Sequence, residues 1–109
     1  MISMDDAERS VDWLRDNASM MARVKAERVY MEQNLKRVKA QEMRKAPGSI
    51  ASREMEALAS EPYLMAMEVL RQTVEAEEQA RWFAAHHEAV IEAWRSQEST
   101  RRSEGKAYA

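Results

Sequence analysis

His86, His87, Glu88 and Glu92 are the one grouping in this 109-residue chain whose residue types suit metal binding or acid–base work. Imidazole beside carboxylate can ligate a metal ion or move a proton near neutral pH. The spacing serves neither task. There is no His-Glu-x-x-His, and Phe83 and Ala84 stand three residues before the histidines, where a di-iron bundle would need glutamate. Adjacent helical residues do not share a face. His87 is therefore expected to pack between Phe83 and Ile91, with His86 turned to solvent. Glu88 and Glu92 read as like-charge helical neighbours, not as a glycosidase pair. With two glycines, no phosphate-cradling loop can be built, and no nucleophile elbow or triad is present. No catalytic residue, metal ligand or cofactor is assigned, and the chain is read as a non-enzyme.

Two basic stretches suit a different chemistry. One is Lys36, Arg37, Lys39, Arg44 and Lys45. The other begins at Trp94-Arg95-Ser96-Gln97 and ends at Arg101-Arg102. Arginine beside an aromatic ring can hold a single strand by phosphate contact and stacking. Carboxylates compete for the same cations: Glu98 precedes Arg102 by four residues and Glu92 precedes Arg95 by three. Trp94, Arg95, Gln97, Arg101 and Arg102 form the candidate surface for a protein partner or nucleic acid. The nine methionines suit core filling or an adaptable helix-in-groove contact.

Composition bounds these readings. One domain is the limit at this length. Without cysteine there is no disulfide, thiol nucleophile or Cys-type zinc site, and the chain suits a reducing cytoplasm. A formal charge of −2 excludes a bulk polycation. No run of about 18 apolar residues could span a membrane. The first residues lack the basic-then-apolar order of a secretory signal.

The elements that must position these residues are helices. Strong helix formers dominate, and no segment alternates at period two. Ser3 with Asp6 is a variant capping box that opens a first helix over about 4–45. Ala46-Pro47-Gly48-Ser49 stops it. A connector over about 46–61 holds a short helix from Ile50 to Ala59, capped by Ser49 or Ser52. Ser60-Glu61-Pro62 starts a second long helix over about 62–102, because proline is tolerated in a first turn. Residues 103–109 read as a frayed tail.

Two long helices and a short connector imply an all-α antiparallel hairpin that assembles into a bundle. Residues 23–45 carry eight bases and three acids, and residues 54–92 carry nine acids and two bases. At the open end Asp5, Asp6 and Asp12 would face Arg102, Arg101 and Arg95. Such a pattern can select register. The apolar stripes run Ala7, Val11, Leu14, Ala18, Met21, Val24, Met31, Leu35, Val38 and, in the second helix, from Ala66 to Trp94. Neither keeps a strict heptad for long. Trp13, Met20, Ala22, Val29, Tyr30, Met65, Met67 and Trp82 lie off the stripes, and Trp13, Trp82, Phe83 and Trp94 are expected at one end. A second apolar face implies a homo-oligomer, most simply a dimer, or another protein partner.

Val90-Ile91-Glu92-Ala93-Trp94-Arg95-Ser96-Gln97, followed by Arg101-Arg102, resembles the ending of a family of small helical proteins of tailed bacteriophages and prophages. Ser49, Ala51, Arg53, Glu54, Tyr63 and Ala80-Arg81-Trp82 extend the resemblance over roughly 49–102. The family's genes often lie among those for recombination and DNA metabolism. The resemblance implies an accessory or adaptor in phage DNA recombination or replication, acting in the host cytoplasm. The alternatives are a module that inhibits or recruits a host enzyme without touching DNA, and a virion assembly or scaffold factor.

Overall fold

The computed structural model describes residues 1–108, which fold into four α-helices: α1 (Met4–Asp16), α2 (Ala18–Lys45), α3 (Ile50–Ala59) and α4 (Glu61–Tyr108). The described residues contain no strand. They form two compact units. One combines Met1–Met21 with the chain from Gln79 onward; the other is Ala22–Glu78. They are called the terminal unit and the central unit below.

Local chemistry sets the helix ends. Ser3 Oγ accepts from the Asp6 amide at 3.0 Å, and the Asp6 carboxylate accepts from the Ser3 amide at 2.9 Å. That reciprocal pair satisfies two amides the first turn leaves unpaired. It also holds the Asp6 carboxyl below its ordinary range, chiefly through the Ser3 backbone bond. Gly48 adopts φ +103°, which a side chain would resist, and so ends α2 and turns the chain. Ser49 then caps α3 by accepting from the Ser52 amide. Ser60 Oγ donates to the Ala57 carbonyl at 2.6 Å and accepts from the Tyr63 amide at 3.4 Å, joining the end of α3 to the start of α4.

Two boundaries differ from the sequence reading. The first long helix is interrupted at Asn17, with φ −107° and ψ 6°. The Asn17 amide and its side-chain Nδ2 both donate to the Trp13 carbonyl, at 3.0 and 2.9 Å. Asparagine competes with helix by bonding nearby backbone in this way. α4 also continues through 103–108, where Arg101, Arg102, Glu104 and Lys106 outweigh Gly105 in helix propensity. Ala109 lies outside the described residues.

The buried and half-buried positions keep a stricter period than the apolar residues alone suggest. In the terminal unit they include Ala7, Ser10, Leu14, Asn17 and Met21, against Ala80, Ala84, His87, Ile91, Trp94 and Glu98. In the central unit they include Val24, Arg28, Met31, Leu35, Val38 and Glu42, against Tyr63, Ala66, Leu70, Thr73 and Glu77. Steps of three and four alternate without a slip, which is the spacing of a coiled-coil seam. The apolar residues alone keep no strict heptad, as expected, because polar residues interrupt them. Ser10, Asn17, Arg28, Glu42, Thr73, Glu77, His87 and Glu98 occupy seam positions that a search for apolar residues passes over.

The seam buries little. Among the described residues Ala7, Ala57, Ala66, Ala80 and Ser10 are buried, and no large side chain is fully enclosed.

Candidate interaction surfaces

In the terminal unit, Ile2 and Gln97 form a two-way clasp. The Ile2 amide donates to Gln97 Oε1 at 3.0 Å, and Gln97 Nε2 donates to the Ile2 carbonyl at 2.8 Å. One glutamine amide supplies both a donor and an acceptor, so it completes the backbone of a segment that lies outside any helix. Further along, Ser10 Oγ and His87 Nδ1 share a hydrogen bond of 2.9 Å. Trp13 stacks on the His87 ring at 4.6 Å and meets Phe83 at 5.9 Å. Burial, and to a lesser degree the neighbouring His86, pushes the His87 imidazole below its ordinary pKa. The neutral ring is thus favoured where it is stacked and bonded.

These pairs run antiparallel, but not in the register read from charge. Asp12 does not meet Arg95. It pairs with Arg15 on its own helix at 3.3 Å, while Arg95 pairs with Glu92 at 3.7 Å. Asp6 meets Arg9 at 2.9 Å and Arg101 meets Glu98 at 3.1 Å. Neighbours three residues apart on one helix reach each other at little entropic cost, and exposed pairs are too weak to impose register. Seam contacts decide it instead.

The five candidate residues therefore have distinct surroundings. Trp94 is half-buried on the seam, and Gln97 is taken up in the clasp. Arg95 and Arg101 are held by glutamates, and Arg102 Nε donates to the Glu98 carbonyl at 3.4 Å. Trp94, Arg95, Ser96 and Arg102 line an open depression on α4 with Glu92, Glu98 and Ser99. All its lining residues come from one helix, so it grips no small molecule as an enclosed pocket does. A second depression joins Trp94, Glu98 and Arg101 to Met1–Met4. Trp82, expected beside Trp13 and Trp94, is 72% exposed.

In the central unit, Arg28 joins α2 to α4. Its Nε donates to Glu77 and its Nη2 reaches the same carboxylate at 3.3 Å, while Nη1 donates to Glu32 at 2.9 Å. These bonds, Glu77's first, raise the Arg28 pKa further above neutrality. Lys39 donates to Glu54 of α3 at 2.8 Å, which raises the lysine pKa and ties α3 to α2. Lys45 pairs with Glu42 at 2.9 Å. The other cations of the first basic stretch do not find acids. Among the described residues, no carboxylate lies within ion-pair distance of Lys36, Arg37 or Arg44, and Arg37 donates to Asn34.

The same unit exposes a cluster of large apolar side chains: Ile50, Met55 and Leu58 on α3, with Leu64, Met65, Met67, Val69 and Val74 on α4. From Tyr63 to Leu70, α4 is apolar on every side except at Glu68. A helix apolar all round is ordinarily buried. The sequence marked Met65 and Met67 as lying off the stripe. It did not mark Ile50, Met55, Leu58 or Leu64; for Leu64 the signal was the absence of any polar residue in 63–67.

Among the described residues, no group of three His, Asp or Glu side chains comes together to hold a metal ion. No helix among them is long and apolar enough to cross a membrane. The chain matches no family model, no curated protein and no solved structure.

Proposed function

We propose that this chain is a non-enzymatic adaptor that works by binding proteins, itself included, in phage DNA recombination or replication. The phage setting comes from the resemblance of residues 49–102 and from nothing else. One observation carries the adaptor reading: among the described residues the buried set is four alanines and a serine, while fifteen large apolar side chains stand exposed. Apolar surface left out of a core is surface kept for a partner. The hairpin completes its core by packing helices from a second chain, as a bundle does. Trp94 anchors the terminal-unit surface, with Arg95, Gln97, Arg101 and Arg102 around it.

A second reading, direct nucleic-acid binding, is favoured by Lys36, Arg37 and Arg44, which have no carboxylate partner among the described residues. The glutamates that hold Arg95 and Arg101 weigh against phosphate contact at the C-terminal end. Titrating labelled single- and double-stranded oligonucleotides at low and moderate salt separates the two. The adaptor reading expects no saturable binding at moderate salt. Binding that weakens steeply with salt, and falls when Lys36, Arg37 and Arg44 become alanine, would replace it with the nucleic-acid reading.

A further inference from the structure

We infer that the outward face of α2 in the central unit docks an acidic α-helix of a protein partner. This rests on the protein-binding adaptor reading and adds the face and the chemistry of one partner. Helical position, exposure and charge carry it.

α2 has two lines of residues at coiled-coil spacing. The first is the seam toward α4: Val24, Arg28, Met31, Leu35, Val38 and Glu42. The second is Ala22, Ala26, Val29, Gln33, Lys36 and Ala40. Both advance by four, three, four, three and four residues, the spacing that keeps a seam turned toward one neighbour. The second line starts two residues before the first, which puts it about 200° around the helix. The first line is half-buried throughout, and the second is exposed throughout. Within its own unit α2 thus has one seam filled and the opposite one open.

Bases flank the open line. Arg23, Tyr30, Arg37 and Arg44 recur every seven residues and so follow one side of it, about 10.5 Å apart. Lys36 adds a fourth cation on the line itself. All of these residues are exposed. Among the described residues, no carboxylate lies within ion-pair distance of the four cations. The arc from Lys36 round to Arg23 holds no acid; Glu27 stands at one border, and Glu32 at the other is held by Arg28. A helix laid along the open line would bring its own flanking residues opposite these arginines, and carboxylates there would neutralise them. Val29 and Tyr30, 44% and 59% exposed, supply apolar contact.

The same residues weigh against other occupants. A second copy seated two-fold on this face would set arginine against arginine. The acids that recur at the same interval on α4, Glu68 and Glu75, are taken by Arg71. A nucleic-acid strand stacks its bases on successive rings, and Tyr30 is the one aromatic residue of α2.

Fluorescence anisotropy with labelled peptides tests this face. The probe is an acidic helix of about three heptads, with leucine and alanine on its seam and glutamate flanking them. One control has the same composition with the heptad order scrambled; the other carries lysine in place of glutamate. The wild-type chain is expected to bind the acidic helix saturably and to bind neither control. A variant with Arg23→Glu, Arg37→Glu and Arg44→Glu should bind it at least about tenfold more weakly and take up the lysine peptide instead. Circular dichroism checks that this variant keeps its helicity. Arg53→Glu, an exposed charge change on α3, should leave the affinity unchanged. Equal binding of the scrambled peptide would overturn the assignment, because attraction to any polyanion would then account for it. No binding of the acidic helix would overturn this face and leave self-association to be judged by melting at different concentrations. An oligonucleotide that binds the wild type, binds the triple variant weakly and is not displaced by the acidic helix would overturn both this occupant and the adaptor reading.

Discussion

The terminal and central units solve one problem in two ways. Both place polar residues on a seam that alternates steps of three and four. The terminal unit uses uncharged partners, with Ser10 bonded to His87 and Trp13 stacked over the ring. The central unit uses ions, with Arg28 held between Glu77 and Glu32. The covering differs too. In the terminal unit Trp13 stacks on His87 beside the exposed Phe83 and Trp82, whereas the central unit turns the aliphatic Leu64, Met65, Met67 and Met55 outward. A polar seam partner fixes which residues face each other, because leaving it unpaired costs more than losing an apolar contact. Affinity must then come from elsewhere, and in the central unit the apolar surface that could supply it points away from the seam.

Substitutions can break this comparison, beginning with the largest effect. Leu70→Ala removes a half-buried side chain from the central seam and should cost about 2 kcal/mol, read by urea unfolding. Hydrogen exchange should rise mainly in Ala22–Glu78. Equal acceleration in the terminal unit would show that the units do not differ in this respect.

Ser10→Ala should cost about 1 kcal/mol, because the half-buried His87 Nδ1 loses its hydrogen-bond partner. The same site sets a pH dependence. His87 has a lowered pKa in the folded chain, so its contribution is present above the ordinary value of 6.5. It is lost as pH falls below that value and through the folded-state pKa, where the unfolded chain binds the proton more readily. Thermal melts between pH 7.5 and 5 should show this loss. His87→Leu should flatten it. An unchanged slope in that variant would remove His87 as its source.

Gly48→Ala should cost about 1–2 kcal/mol, since φ +103° is strained for any side chain. Ser3→Ala should cost about 1 kcal/mol through loss of the cap. The Asp6 carboxyl should stay below its ordinary range in this variant, because the Ser3 amide that chiefly lowers it remains. An unchanged melting temperature would contradict the cap.

What was legible in the sequence is what local chemistry decides. Ser3 with Asp6, Ala46-Pro47-Gly48-Ser49 and Ser60-Glu61-Pro62 mark helix ends because a cap or a stop acts within four residues. The all-α class follows from the same propensities. The seam was half legible. Ala7, Leu14, Met21, Val24, Met31, Leu35 and Val38 fall on it, but the gaps between them are filled by Ser10, Asn17 and Arg28. A polar residue at a seam position looks like a break in an apolar stripe until its partner is known. The open-end register was not legible from charge, because Asp12, Glu92 and Glu98 are satisfied by arginines on their own helices; in the central unit Arg28 with Glu77 and Lys39 with Glu54 do join the basic block of 23–45 to the acids of 54–92. The interruption at Asn17 was missed because a single asparagine amid helix formers carries no strong signal. In the candidate surface, the residue types at Trp94 and Arg95 were readable. The use of Gln97 by Ile2 was not, since 95 residues of chain separate the two.

The central claim is that this thin-cored chain completes its core with a second copy, and the concentration dependence of thermal unfolding tests it most directly. Folding coupled to dimerisation makes the midpoint rise with protein concentration by mass action. Circular dichroism melts over a hundredfold range, on the order of 1 to 100 μM, should show a steady rise in a single transition. A midpoint that does not move over that range, with helicity retained at the lowest concentration, would show that four alanines and a serine suffice as a core, and would contradict the account.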